Sequence, residues 1–143
     1  MRFWDSSALV SLVVEQRASR AARALYRGDP AVALWALTRT EIASAVQRLR
    51  RENVLDDRGV TSAMARLDAL VDRATEVTAL EAVRERAERA LAVHPLRAAD
   101  AMQLAAALVL SRDRPRKRPF VVTDDRLASA ARREGFDVIV PGG

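Results

Sequence analysis

Short apolar runs of strand length alternate with helical segments along this chain, and that alternation constrains the fold more than any other feature. Arg2 to Trp4, Ala31 to Leu37, Glu76 to Thr78, Phe120 to Thr123 and Asp137 to Val140 read as strands. Ser6 to Val14 is apolar and opens on good capping residues. Arg17 to Arg27 carries a stripe of Ala18, Ala21, Ala22 and Leu25 and is closed by Gly28 and Pro30. Helices are also expected over Thr38 to Glu52, Asp56 to Asp72, Leu80 to Val93 and Asp125 to Glu134, the last closed by Gly135. A nearly all-apolar helix begins at Leu96 or Arg97 and runs to Leu110. Strands separated by helices cannot pair as hairpins, so the sheet is expected to be parallel, covered on both faces and linked by right-handed crossovers. No repeat or linker interrupts the 143 residues, and one domain over 1–143 is expected.

Composition narrows the chemistry. There is no cysteine, which excludes disulfides, thiolate catalysis and zinc–cysteine sites. His94 is the only histidine, so paired-histidine acid–base catalysis is excluded as well. The formal charge of +5 and a sequence pI near 11.0 favour a polyanionic partner. Lys117 is the only lysine, and the arginine excess fits either a GC-rich coding bias or selection for phosphate binding. The longest apolar stretch, Ala98 to Leu110, is shorter than a bilayer span, and the apolar run at Met1–Asp5 is too short for a signal peptide. The cytoplasm is the expected compartment. The segment from Arg112 to Pro119 is the one strongly biased tract. It reads as a solvated connection or as a phosphate-backbone contact through Arg114, Arg116, Lys117 and Arg118. Trp4 and Trp35 lie on strands and are expected in the core.

In an open parallel sheet, ligands bind beyond the carboxyl ends of the strands. The polar residues that follow the expected strands there are carboxylates: Asp5 after the first, Glu41 one helical turn after the second, and Asp124 and Asp125 after Phe120–Thr123. Each has a structural alternative. Asp5 and Asp124 suit helix N-caps, and Thr38-Arg39-Thr40-Glu41 fits a capping box. Asp100 is different. Asp100 and Gln103 are the only polar residues between Ala98 and Leu110, and at a spacing of three they share a face. An ionised carboxylate on a buried helix is costly without a partner. Arg97 is one candidate partner, and an active site is the other explanation.

Acids brought together from distant segments would raise one another's pKa unless a cation sat among them. Carboxylate oxygens without His or Cys select Mg²⁺ or Mn²⁺ over zinc. Such an ion activates water and stabilises in-line displacement at phosphorus, while a basic surround holds the phosphodiester. Metal-dependent nuclease chemistry is therefore expected, with hydrolysis leaving 5′-phosphate and 3′-hydroxyl ends.

The same residues carry a family resemblance. Phe3-Trp4-Asp5-Ser6-Ser7-Ala8-Leu9-Val10 resembles the opening of PIN domains, and Thr38 to Ala45 resembles their second acidic motif. Leu96 to Ala107, centred on Asp100, is similar to the third and most specific motif. Val122 to Ala131 is similar to the fourth. The size resembles a VapC-type toxin of a toxin–antitoxin pair. The resemblance implies a three-layer α/β/α sandwich around a mostly parallel sheet of about five strands. It implies Mg²⁺- or Mn²⁺-dependent endoribonuclease activity on RNA, a VapB-type antitoxin and a homodimer. Carried over, Asp5, Glu41, Asp100 and Asp124 are the catalytic acids, and Asp5, Asp100 and Asp124 are the metal ligands. Ser7 orients Asp5. Asp125 is the alternative to Asp124, because a Thr-x-Asp pattern selects it, while the helix register set by Leu127 selects Asp124. Relatives often carry His where this chain has Gln103.

Two rival readings stand beside this one. An aspartate ending the first strand also suits a phosphoryl acceptor. However, Asp5-Ser6-Ser7 lacks a second aspartate two residues on, and no lysine ends a late strand. A non-catalytic basic module that grips RNA or an acidic partner accounts for the charge but leaves Asp100 unexplained.

Overall fold

Alternation along the strands decides the layers. The structure, a computed structural model, describes residues 1–143. On β1 (Arg2–Trp4), Phe3 and Trp4 are adjacent, so they point to opposite faces and enter separate cores. On β2 (Val32–Trp35), Ala33 and Trp35 join Phe3, while Val32 and Leu34 join Trp4. On β4 (Pro119–Val121), Phe120 and Val121 divide in the same way. β3 (Thr75–Val77) and β5 (Asp137–Ile139) form the two edges.

The sheet order is β3-β2-β1-β4-β5, and every pairing is parallel. One face is covered by α5 (Leu80–Val93), α6 (Ala98–Leu110) and α7 (Asp125–Glu134), whose Val83, Leu104, Leu108 and Leu127 pack with Phe3, Trp35 and Phe120. The other face is covered by α1 (Ser6–Leu9), a 3-10 turn at Val10–Leu12, α2 (Ser19–Gly28), α3 (Thr38–Arg51) and α4 (Asp57–Arg73). The expected three-layer sandwich with five parallel strands is the observed fold. Phe3 stacks on Phe120 at a centroid distance of 5.2 Å, and Phe120 meets Phe136 at 5.3 Å, which ties the centre of the sheet to β5. Trp4 and Trp35 are fully buried, as expected.

Several boundaries differ from the sequence reading, for local reasons. The run from Ala31 to Leu37 is a strand over Val32–Trp35, with one backbone bond beyond each end, and it stops there because Leu37 already occupies the N-cap position of α3. α2 starts at Ser19 and not at Arg17. The Ser19 hydroxyl accepts from Gln16 N at 2.8 Å and donates to the Val14 carbonyl at 3.1 Å, which fixes the entry to that helix. Gly135 closes α7 at φ 108°, a left-handed conformation that a side chain resists.

This order creates a switch point. From β1 the chain crosses toward β2 and β3, and the later strands build outward on the other side, so neighbouring crossovers diverge between β1 and β4. That divergence opens a crevice at the carboxyl ends of these two strands. Asp5 follows β1 and Thr123-Asp124 follow β4, so both segments reach the crevice.

Candidate active site

Asp5 follows β1 directly, at the carboxyl end of the sheet, with 2% of its surface exposed. It is the N-cap of α1, with its Oδ2 accepting from Ser7 N at 3.0 Å and from the Ser7 hydroxyl. Burial pushes its carboxyl up to about 7, against the two Ser7 bonds, and the charges of Glu41 and Asp100 add to the rise. The capping role and a site role thus coexist in one residue. Ser7 does more than orient Asp5. Its Oγ accepts from Thr123 N at 3.0 Å and from Asp124 N at 3.3 Å, while the Thr123 hydroxyl donates to the Ser7 carbonyl at 3.0 Å. One serine therefore stitches the end of β1 to the end of β4.

Glu41 corrects the capping-box reading. The N-cap position of α3 belongs to Leu37, and the Glu41 side chain turns away from the helix start. Its Oε2 accepts from the Ser6 hydroxyl at 2.8 Å, and its Oε1 from Gln103 Nε2 at 3.0 Å. Burial holds its pKa above the ordinary value, opposed by those two bonds, with the Asp100 charge pushing further up. Gln103 is wholly buried, and its amide also donates to the Thr38 hydroxyl at 3.0 Å. Ser6 and Thr38 are neighbours of the acids that sequence reasoning passed over, and the bond from Gln103 to Glu41 is one that it did not foresee. The signal for Gln103 was its shared face with Asp100.

Asp100 lies in the first turn of α6, half-buried. The alternative pairing with Arg97 does not form: no cation stands within 4 Å of its carboxylate in any of the ion pairs of the structure. Burial raises its pKa first and the Asp124 charge second, with Arg97 and Arg126 pulling it back from a distance. Asp124 is exposed and caps α7, accepting from Leu127 N at 2.8 Å through Oδ1. Asp125 is exposed too, but its charge is absent from those that act on Asp100.

Four separated segments thus deliver Asp5, Glu41, Asp100 and Asp124 to one electrostatic neighbourhood, linked pair by pair. The donor set is hard oxygen only, which fits Mg²⁺ or Mn²⁺ by chemistry. No three acidic or histidine side chains close on one point tightly enough to hold an ion as they stand. The site is a loose set of carboxylates, Asp124 joining it through Asp100, and not a preformed cage.

The basic tract lies elsewhere. Arg114, Arg116, Lys117 and Arg118 precede β4, so they stand at the amino end of the sheet, opposite the acids. α6 alone separates the two ends: Asp100 to Ser111 spans about 16 Å of helix. The cations near the acids are Arg97 and Arg126. No helix is long and apolar enough to cross a membrane.

Comparison with known proteins agrees with this geometry. No functionally curated protein matches the chain. Among solved structures, FitAB bound to an IR36 DNA fragment is 18% identical with a TM-score of 0.64, covering 100% of this chain and 96% of that one. FitAcB from Neisseria gonorrhoeae is 20% identical with a TM-score of 0.66, covering 98% and 96%. At such identity both show the fold alone. The family model for the PIN domain matches residues 2–134, nearly the whole length, and the chain belongs to the PIN domain family.

Proposed function

We propose that this protein is a Mg²⁺- or Mn²⁺-dependent endoribonuclease, the VapC-type toxin of a toxin–antitoxin pair. The observation that carries the reading is the hydrogen-bonded convergence of the acids: Ser7 joins Asp5 to the backbone of Asp124, Glu41 joins Ser6 to Gln103, and Asp100, one turn before Gln103 on α6, has no cation partner at bonding distance. Buried and half-buried carboxylates whose charges raise one another's pKa oppose folding when ionised, and a divalent cation removes that opposition. When bound, such an ion supplies an acidified water and neutralises charge at phosphorus.

The chain's own residues do the rest. Asp5, Asp100 and Asp124 would hold the cation, with Asp5 fixed by Ser7. Glu41, set by Ser6 and Gln103, faces the same space and assists as a base. Asp124 is preferred to Asp125 because its charge reaches Asp100. Membership in the PIN family supports a nuclease, and the resemblance of the four acidic motifs and of the chain's size to VapC-type toxins supports a toxin neutralised by an antitoxin. A VapB-type partner, a homodimer and a cytoplasmic location complete the proposal.

Incubation of the purified protein with total RNA and Mn²⁺, beside Asp5→Asn and Asp100→Asn, tests it. Cleavage by the wild type alone, yielding 5′-phosphate ends, is the expected result. Equal cleavage by both variants, or 2′,3′-cyclic phosphate products, overturns it.

A further inference from the structure

The arginines of α7 form a cleft that the acids alone do not explain. Arg126, Ser129 and Arg133 recur at helical spacing on one face of α7, opposite the buried Leu127, Ala128 and Ala131. With His94, Pro95 and Asp125 they line a cleft of about 240 Å³. Both arginines are exposed, and neither joins any ion pair of the structure, unlike Arg23, Arg39, Arg50 and Arg86. Glu134, the acid next to Arg133 in the chain, is already engaged. Its Oε1 meets His94 Nε2 at 2.7 Å, and its Oε2 faces Arg86 at 3.5 Å. The buried Nδ1 of His94 has no partner. Asp125 is the single acid in the lining, so the cleft keeps a positive excess.

Continuity with the acids gives the cleft its direction. Arg126 follows Asp124 by two residues, and its charge already acts on Asp100. A strand whose scissile phosphate lies at Asp100 and Asp124 therefore runs directly into Arg126, and one helical stripe further on meets Arg133. We propose that this cleft holds the phosphates of single-stranded RNA flanking the scissile bond, with Arg126 and Arg133 as the backbone contacts in place of the tract from Arg114 to Arg118. The inference rests on the nuclease reading for its substrate class. Guanidinium forks match phosphate oxygens in two-point geometry, and Ser129 supplies a neutral donor beside them.

Fluorescence anisotropy of a short labelled single-stranded RNA, in an Asp5→Asn background that blocks turnover, tests this without relying on activity. Arg126→Ala/Arg133→Ala is compared with Arg114→Ala/Arg116→Ala across a salt series, with melting curves confirming that both variants are folded. The α7 pair is expected to weaken binding roughly tenfold and to lower the slope of log K against log salt by about 1.4, while the distal pair changes neither. Equal losses in the two pairs, or no RNA binding by the parent, overturn the cleft. RNA binding that depends on Arg126 and Arg133 in a protein that cleaves nothing refutes the nuclease reading and leaves the cleft standing.

Discussion

Gln103 donates its amide to Glu41 Oε1 at 3.0 Å, joining α6 to α3 across the crevice. The same amide donates to Thr38, so one buried group sets the direction of a carboxylate that no helix cap holds. Gln103→Met removes both bonds at nearly constant volume. It leaves the Thr38 hydroxyl buried without its partner, at a cost of about 1–3 kcal/mol. It also removes a bond that lowers the Glu41 pKa. The acid limb of the kcat profile is then expected to move to higher pH, with kcat falling about tenfold and KM nearly unchanged. A pH–rate series on the variant checks this. A fall in kcat with no displacement of the limb shows that Gln103 acts on stability alone.

Asp5 makes the metal-free protein less stable as pH rises. Its carboxyl titrates near 3.8 in the unfolded chain and at about 7 in the fold. Below about pH 4 both states hold the proton and burial costs nothing through this group. Between about 4 and 7 the unfolded chain releases the proton and the fold retains it, so stability falls across that window. The loss is complete above about 7 and is on the order of 4 kcal/mol. Urea unfolding in chelator at pH 4.5 and pH 8 is expected to show the decline, and Asp5→Asn to flatten most of it. An equally steep decline in the variant assigns the effect to other groups.

The difference between what the sequence showed and what it hid follows from the range of each interaction. Period-two alternation at Phe3-Trp4 and the apolar stripe of α6 are local, and they mark a buried parallel sheet before any contact is known. Asp5 and Asp124 stand immediately after strands, where a parallel sheet gathers its chemistry. Gly135 announces the end of α7 through its own backbone. Glu41 was ambiguous, because a capping box and a site acid look alike in four residues. Only Ser6 and Gln103, distant in sequence, decide between them. The arginines were illegible as a set, since composition cannot tell Arg86, committed to Asp113 and Glu134, from the unpaired Arg126 and Arg133. The tract from Arg114 to Arg118 stood out as the richest basic run, yet a segment that precedes a strand is carried to the end of the sheet away from the acids.

Ser7→Ala separates support from capping. The backbone N–H of Ser7 still donates to the capping carboxylate of Asp5, but the hydroxyl that reaches Asp5, Thr123 and Asp124 is lost. Loss of a bond that lowers the Asp5 pKa moves that carboxyl further upward. Stability is expected to fall by about 1–2 kcal/mol, and cleavage at pH 7 by more than at pH 9, because a larger fraction of Asp5 is then protonated at neutrality. A variant whose deficit is the same at both values shows that Ser7 acts only as a splice between β1 and β4.

Metal-linked melting discriminates Asp124 from Asp125. A cation held by the fold and not by the unfolded chain stabilises by about 2.7 kcal/mol at a hundredfold excess over its Kd. For a domain of this size that is a rise of about 10 °C in Tm. Asp124 caps α7 and its charge raises the Asp100 pKa, while Asp125 lines the α7 cleft, so the two isosteric variants are not equivalent. Asp125→Asn is expected to keep the Mn²⁺-induced rise. Asp124→Asn keeps the oxygen that caps Leu127 N but loses its charge, so its rise is expected to shrink by about half or more. Asp100→Asn is expected to abolish it, and EDTA to reverse it in every variant that shows it. If Asp125→Asn loses the rise and Asp124→Asn keeps it, the fourth ligand is Asp125, and the charge linking Asp124 to Asp100 then belongs to the cap of α7.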